Sequence, residues 1–231
     1  MKNNYTALEA KTGIKFKDVD LINKAFIHKS YINEHRNEGI QNNERLEFLG
    51  DSVLELAATH HLFHKYPDQH EGQMTSFRSA LVKGKHLAEV AEDLGLGKYL
   101  FLSKGEEKSG GREKKYILAN VTEAYIGAIY LEHGYDIAEE FIEKFILKKI
   151  DNIIAKGLHI DAKSQFQEIC QDKEDITPHY DVISEEGPDH DKNFTMGAYI
   201  NEQLIAKGKG SSKQKAEDDA AKNALKAKGW E

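Results

Sequence analysis

Residues 42–54 read NNERLEFLGDSVL, and this stretch decides how the rest of the chain is read. Its acids fall at Glu44, Glu47 and Asp51, with Glu55 next in the run. Offsets of three and four residues put all four on one stripe of an α-helix. Leu46, Leu49, Val53, Leu54 and Leu56 fill the alternate face, which predicts a helix packed on a core. An acid stripe is ordinarily a solvated face. Here, however, carboxylates one turn apart repel, and Arg45 is the one basic residue near them in the helix. Gly50 and Ser52 are small enough to let another backbone approach. Carboxylates clustered away from Lys and Arg suit Mg²⁺, a hard cation that takes oxygen ligands. The helix is predicted to run from Glu44 to His64, with Pro67 and residues 68–72 ending it.

Outward from this stretch the chain continues in helical periodicity. DVDLINKAFIHKSY (18–31) places Val19, Ile22, Phe26 and Ile27 on one face. Residues 33–42 are polar and aperiodic and read as a loop. A single helix is predicted from Met74 to Leu94, weakest at Gly84. The Gly- and Lys-punctuated residues 94–115 read as a loop. Tyr116 to Glu132 is a helix that Gly134 can stop, and Ile137 to Ile154 is an amphipathic one. No strand pattern appears before about residue 178. The texture then changes. SQFQEICQD (164–172) reads as a helix. HYDVISEEG, FTMGAYINE and QLIAKGKG are short β-branched or aromatic runs separated by Gly, Pro and Asp. SSKQKAEDDAAKNALKAK (211–228) is a helix that Ser211 or Ser212 can cap. The order is α-β-β-β-α.

The chain has 231 residues, 39% apolar and 31% charged, with mean hydropathy −0.63. This is the profile of a globular protein of one or two domains. Cys170 is the sole cysteine, which excludes an intrachain disulfide and a Cys-based zinc site. No signal peptide and no membrane span are visible, so a cytoplasmic protein is expected. The net charge of −7 speaks against a polyanion partner. Its distribution does not: residues 160–231 hold 15 acids and 10 lysines, but seven of those lysines fall between Lys207 and Lys228. A local basic strip on an acidic chain points to nucleic acid.

Two smaller constellations stand beside the acid stripe. Asn120 and Glu123 lie three apart on the helix YILANVTEAYIGAIYLE (116–132) and offer oxygen ligands on one face. Alone they are an ordinary exposed pair. His60 and His64 have the spacing of a helical zinc pair, but no third ligand accompanies them in a known motif. We read them, with His28 and His61, as structural or exposed.

NNERLEFLGDSVL resembles the signature of the ribonuclease III family, and the likeness extends over nearly the whole chain. AFIHKSY (25–31) is similar to the segment before the signature. Residues 71–100 and 102–132 are similar to the later helices of the nuclease domain. GPDHDKNF and GKGSSKQKAEDDAAKNAL look like a double-stranded RNA-binding domain. The resemblance implies an all-α nuclease domain (1–156), a linker (157–163) and a small α+β RNA-binding domain (161–229). It implies a Mg²⁺-dependent homodimeric endoribonuclease, Mn²⁺ being a possible substitute. The enzyme would cleave both strands of duplex RNA to 5′-phosphate products with short 3′ overhangs. Ribosomal, messenger and transfer RNA precursors would be its substrates.

Carried over by position, the metal ligands are Glu47, Asp51, Asn120 and Glu123, with Asp51 and Glu123 the most indispensable for catalysis. Glu44 and Glu71 are accessory acids, and Glu55 matches no functional position. The family often has Asp where this chain has Asn120. The competing reading is therefore a duplex-RNA-binding regulator with a weakened site. Glu47, Asp51 and Glu123 favour the enzyme and exclude a purely structural protein. In the second domain Ser164, Gln167, Glu168 and Gln171 share a helix face. By resemblance Gln167 and Glu168 contact 2′-hydroxyls, His190 enters the next minor groove, and Lys213 and Lys215 meet phosphates. The family more often has two adjacent lysines where this chain has Lys213-Gln214.

Overall fold

A computed structural model of the chain describes residues 3–155, 162–188 and 192–230. The chain divides into two compact units, residues 1–159 and 160–231.

The first unit is helical: α1 (Thr6–Thr12), α2 (Val19–Ala25), α3 (Lys29–Glu34), α4 (Glu44–Lys65), α5 (Glu71–Leu81), α6 (Gly84–Leu94), α7 (Lys104–Lys108), α8 (Lys115–His133), α9 (Tyr135–Phe145) and α10 (Ile150–Ala155). The α8 helix is the hub. Its residues Ile117–Ala119, Val121, Thr122 and Ala124–Ile129 are all buried, and α2, α4, α6 and α9 pack around it. A helix apolar on nearly every side must be covered on every side. Tyr125 completes an aromatic cluster with Phe16, Phe26 and Phe141.

Several sequence expectations change here. The helix predicted over 74–94 is two helices, broken at Val82–Lys83, where Lys83 is extended. The break turns α6 so that Leu87, Ala88, Val90, Ala91 and Leu94 are buried. The span 137–154 also breaks: a 3₁₀ turn at Leu147–Lys149 separates α9 from α10. The turn lets the neighbours Ile146 and Leu147 both reach the core, although they point about 100° apart on a regular helix. Val19 and Leu56, expected to face inward, are exposed. Val19 opens α2, directly after the Asp18 cap that accepts from the Asp20 and Leu21 amides. The loop over 94–115 is ordered, with 3₁₀ turns flanking α7. The Arg112 guanidinium organises it, donating to the carbonyls of Gly97 (3.0 Å) and Leu100 (2.8 Å) and pairing with Glu107.

The second unit runs α11 (Ala162–Glu174), β1 (His179–Glu186), β2 (Asn193–Ile200), β3 (Gln203–Gly210) and α12 (Lys213–Lys228). The sheet is antiparallel in the order β1-β2-β3. Asn201 takes a left-handed φ in the tight β2–β3 turn, a conformation that Asn tolerates better than most residues. Phe166 and Cys170 of α11, Met196, Ala198 and Ile200 of β2, and Ala216, Ala220, Ala221, Ala224 and Leu225 of α12 form the core. The Lys207-Gly208-Lys209-Gly210 alternation has a direct cause. A Cβ on Gly208 or Gly210 would run into the backbone of α12, whereas Lys207 and Lys209 are exposed.

Candidate active site and RNA interface

The crossing of α4 and α8 builds the candidate active site. Gly50 and Gly127 face one another there. A Cβ on Gly50 would overlap the Glu123 carbonyl, and one on Gly127 the Leu46 carbonyl. Only glycine at both positions lets the two backbones meet. Glu47 and Asp51 flank Gly50 on α4, and Asn120 and Glu123 lie about two turns and one turn before Gly127 on α8. The contact therefore brings together the four residues picked out by the sequence.

Burial raises all three carboxyls, and their charges are coupled. Burial pushes the Glu123 carboxyl up to about 7, with the charges of Asp51 and Glu47 adding to the shift. Glu47 is also raised by burial, against which a hydrogen bond from the Asn120 side chain stabilises its charge. Asp51 is raised by burial and by Glu55. Three carboxylates that resist ionising together, beside an amide oxygen, form a donor set that fits a hard divalent cation. Among the described residues, no three His, Cys, Asp or Glu side chains are gathered closely enough to enclose an ion.

The accessory acids separate. Glu44 stands at the first turn of α4, 3.6 Å from Lys29, and its charge reaches Glu47. Glu71 begins α5 and lines a shallow hollow with Thr59, Phe63 and Arg78, more than two turns along α4 from Asp51. Within one chain it does not join the carboxylate group. The histidines tie helices together: His60 Nδ1 lies 2.7 Å from Glu139 and His61 Nδ1 3.2 Å from Glu143, both on α9. His28 caps α3, accepting from the Ser30 amide. The outer face of α4 is apolar, with Phe48 79% and Phe63 64% exposed.

In the second unit Ser164, Gln167 and Glu168 are exposed on α11, while Phe166 is buried beneath them. Ile169, expected in the core, packs against it only partly buried. Gln171 donates to the Thr177 hydroxyl (3.2 Å). Lys213 and Lys215 are exposed in the first turn of α12, which Ser212 caps. His190 lies outside the described residues. The lysines from 207 to 228 are not one strip. Lys222 pairs with Asp218, Lys228 with Glu174 and Lys213 with Glu185, while Lys207, Lys209, Lys215 and Lys226 are exposed. Sequence reasoning passed over Gly127, although a glycine inside a helical run is itself a sign of close approach. It also passed over Glu185 and Lys192, which only the hairpin register brings to Lys213.

Among the described residues, no helix is long and apolar enough to cross a membrane. The Ribonuclease-III-like family model matches residues 18–150, and the double-stranded RNA binding motif matches residues 162–228. The protein named Ribonuclease 3 from Listeria monocytogenes is 46% identical over 226 residues, covering 96% of this chain and 97% of its own. Its namesake from Enterococcus faecalis is 46% identical over 222 residues, covering 96% of each chain. A crystal structure of the ribonuclease III nuclease domain from Campylobacter jejuni covers 64% of this chain and 97% of its own, at 41% identity and a TM-score of 0.59. The chain therefore belongs to the ribonuclease III family, an endoribonuclease domain followed by a double-stranded RNA-binding motif.

Proposed function

We propose that the protein hydrolyses phosphodiester bonds of duplex RNA with Mg²⁺ held by Glu47, Asp51, Glu123 and the Asn120 carbonyl, Mn²⁺ serving as a substitute. The observation that carries this is the glycine-on-glycine crossing, which sets an acidic, oxygen-only group in a half-buried place with Glu123 pushed up to about 7. When bound, the metal would supply the positive charge that offsets the charge developing on the phosphate, and would polarise water. Asp51 and Glu123 would hold it. Asn120 orients Glu47, and Glu44 sets the field at the entrance. The second unit holds the duplex through Ser164, Gln167 and Glu168 toward 2′-hydroxyls, His190 toward the next minor groove, and Lys213 and Lys215 toward phosphates.

Cutting both strands in one encounter calls for two sites related by a two-fold axis. A related Campylobacter jejuni structure is described as showing flexibility in a region involved in dimer formation of that nuclease domain. The exposed Phe48 and Phe63 on α4 support a homodimer here. Sedimentation at micromolar concentration is expected to give twice the 26.1 kDa chain mass, and a monomer would rule the dimer out. The products are 5′-phosphate ends with short 3′ overhangs, and the substrates are ribosomal, messenger and transfer RNA precursors in the cytoplasm. The test is cleavage of a long RNA duplex with Mg²⁺ and with EDTA, beside a gel shift. Cleavage that survives EDTA would overturn the metal assignment.

A further inference from the structure

The first turn of α4 is tied to another part of the chain by a buried side chain. Asn43 stands at the N-cap position, where an asparagine side chain ordinarily accepts a hydrogen bond from a helix amide. This one makes no such cap. Only 4% exposed, it donates from Nδ2 to the carbonyl of Ala25 (3.1 Å), the last residue of α2. Its backbone N–H donates to the Ile27 carbonyl (2.9 Å), and its own carbonyl accepts from the amide of Glu47 (2.9 Å). The receiving segment is itself clamped. Ile27 forms a parallel bridge with Phe101, in which the Phe101 amide donates to the Phe26 carbonyl (2.9 Å) and the His28 amide to the Phe101 carbonyl (3.1 Å). The Ser103 amide donates to the Ser30 hydroxyl (3.1 Å). AFIHKSY (25–31) is thus a rail, fixed to residues 101–103 on one side and to Asn43 on the other.

We propose that Asn43 is a positioning residue of the carboxylate group: it fixes the first turn of α4 against residues 25–28 and so sets where Glu47 stands relative to Asp51, Asn120 and Glu123. This rests on the reading of Glu47 as a metal ligand. The Gly50–Gly127 crossing pins α4 at one point. Asn43, about two turns earlier, pins it at a second, and Glu47 lies between the two. Turning the amide away from the helix gives up the stability of a capped start. Asn42 supplies part of it instead: its Oδ1 accepts from the Glu44 amide (3.2 Å), and its Nδ2 donates to the Glu44 carboxylate (2.9 Å). The two asparagines divide the work. Asn42 serves the helix start, and Asn43 serves the placement of Glu47. Aspartate and serine begin helices as well as asparagine does, so a residue needed only to start α4 tolerates both. A tether tolerates neither, because aspartate keeps the size but loses the proton, and serine keeps a proton but loses the reach.

The test is a Mg²⁺ titration of Asn43→Asp and Asn43→Ser in the full chain. It is read by cleavage of a long RNA duplex and, without RNA, by the rise in melting temperature that Mg²⁺ produces. Both variants are expected to raise the Mg²⁺ concentration for half-maximal cleavage on the order of tenfold, the scale on which groups that orient a metal ligand act. The melting response should move to higher Mg²⁺ by the same factor, and turnover at saturating Mg²⁺ should largely recover. The added charge of Asn43→Asp would by itself attract the cation, so a raised requirement in that variant isolates the lost tether. Asn43→Asp also fills the parent's space and carries the test should Asn43→Ser melt too low to assay. Ile142→Val, in the buried face of α9, supplies the comparison: a lower melting temperature with the parent's Mg²⁺ requirement. Asn43 variants that behave like Ile142→Val overturn the positioning role. In a Glu47→Gln background Asn43→Asp should add little, because the group it places is already gone, and full independent effects overturn the proposal too. A raised Mg²⁺ requirement in Glu47→Gln beside an unaltered one in Asn43→Asp overturns this inference alone. A parent-like Mg²⁺ requirement in Glu47→Gln removes the ligand reading of Glu47, and this inference with it.

Discussion

Both units use glycine to press two backbones together, and the consequences are opposite. Where α4 crosses α8, Gly50 and Gly127 draw carboxylates inward until Glu123 is pushed up to about 7. Where β3 meets α12, Gly208 and Gly210 occupy the tight side and leave Lys207 and Lys209 in solvent. The same device concentrates charge in one unit and disperses it in the other. Charge in a half-buried group is costly and strongly coupled, so single substitutions there should act steeply. Exposed cations are screened and nearly independent, so they should act in small, salt-sensitive steps.

The sharpest break comes at the carboxylates. Asp51→Ala or Glu123→Ala should cut turnover by on the order of 10³-fold, the scale on which loss of one directed electrostatic contact is felt in a water-poor site. Duplex binding in Ca²⁺ should persist. Loss of both together would indicate a folding defect instead. Next comes the scaffold. Gly50→Ala or Gly127→Ala places a methyl against backbone that has no room to yield. Such overpacking should cost about 1–3 kcal/mol in thermal melts and should also depress cleavage. A variant that melts normally and cuts normally would show that the crossing does not set the site. Truncation sharpens the other half of the comparison. A chain ending near Lys156 should cut duplex RNA at low salt and lose activity steeply as salt rises. Equal activity of both lengths at physiological salt would show that the second unit is dispensable for binding.

The two regions also differ in how far the sequence disclosed them. The α4 stripe was legible because helical spacing is local: Glu47 and Asp51 share a face whatever surrounds them. Gly50 was legible as a point of close approach, but its partner Gly127 lies on another helix, and no local pattern pairs the two. Breaks at Val82 and Ile146 were hidden for a related reason. Each helix turns to bury residues against α8 or the core, and tertiary packing overrides an otherwise continuous periodicity. In the second unit the strands were plain from composition and turn residues. The Lys192–Glu185–Lys213 bridge was not, since it needs the β1–β2 register, which a sequence does not print.

The raised Glu123 carboxyl gives a pH signature that the exposed lysines lack. Its folded value of about 7 lies above its ordinary 4.5, so it keeps its proton in the fold at pH values where the unfolded chain has lost it. Its contribution to metal-free stability is therefore fully present below about pH 4.5 and is lost as pH rises through about 7. Melting of the metal-free chain over this window, compared with Glu123→Gln, should show a decline in the parent that the glutamine variant lacks. Parallel curves would mean that burial and the neighbouring charges do not raise the Glu123 carboxyl.

The smallest effect is expected at Asn120, and it decides whether this chain's departure from the family's usual Asp matters. The Asn120 side chain donates a hydrogen bond to Glu47 and so stabilises the charged carboxylate without adding charge of its own. Asn120→Asp exchanges that donor for a fourth carboxylate. Without metal the new charge meets Glu47 and Glu123 at close range, so the variant should melt slightly lower, and Mg²⁺ should restore it. With metal the extra charge strengthens attraction, so the Mg²⁺ concentration for half-maximal cleavage should fall, by severalfold at most, or stay level. Asn120→Ala removes both the oxygen and the hydrogen bond, and the requirement should rise. A Mg²⁺ titration of the three proteins, each melted with and without metal, separates the possibilities. If the alanine variant follows the parent throughout, position 120 holds no metal, and the site rests on Glu47, Asp51 and Glu123, with Asn120 serving only to steady Glu47.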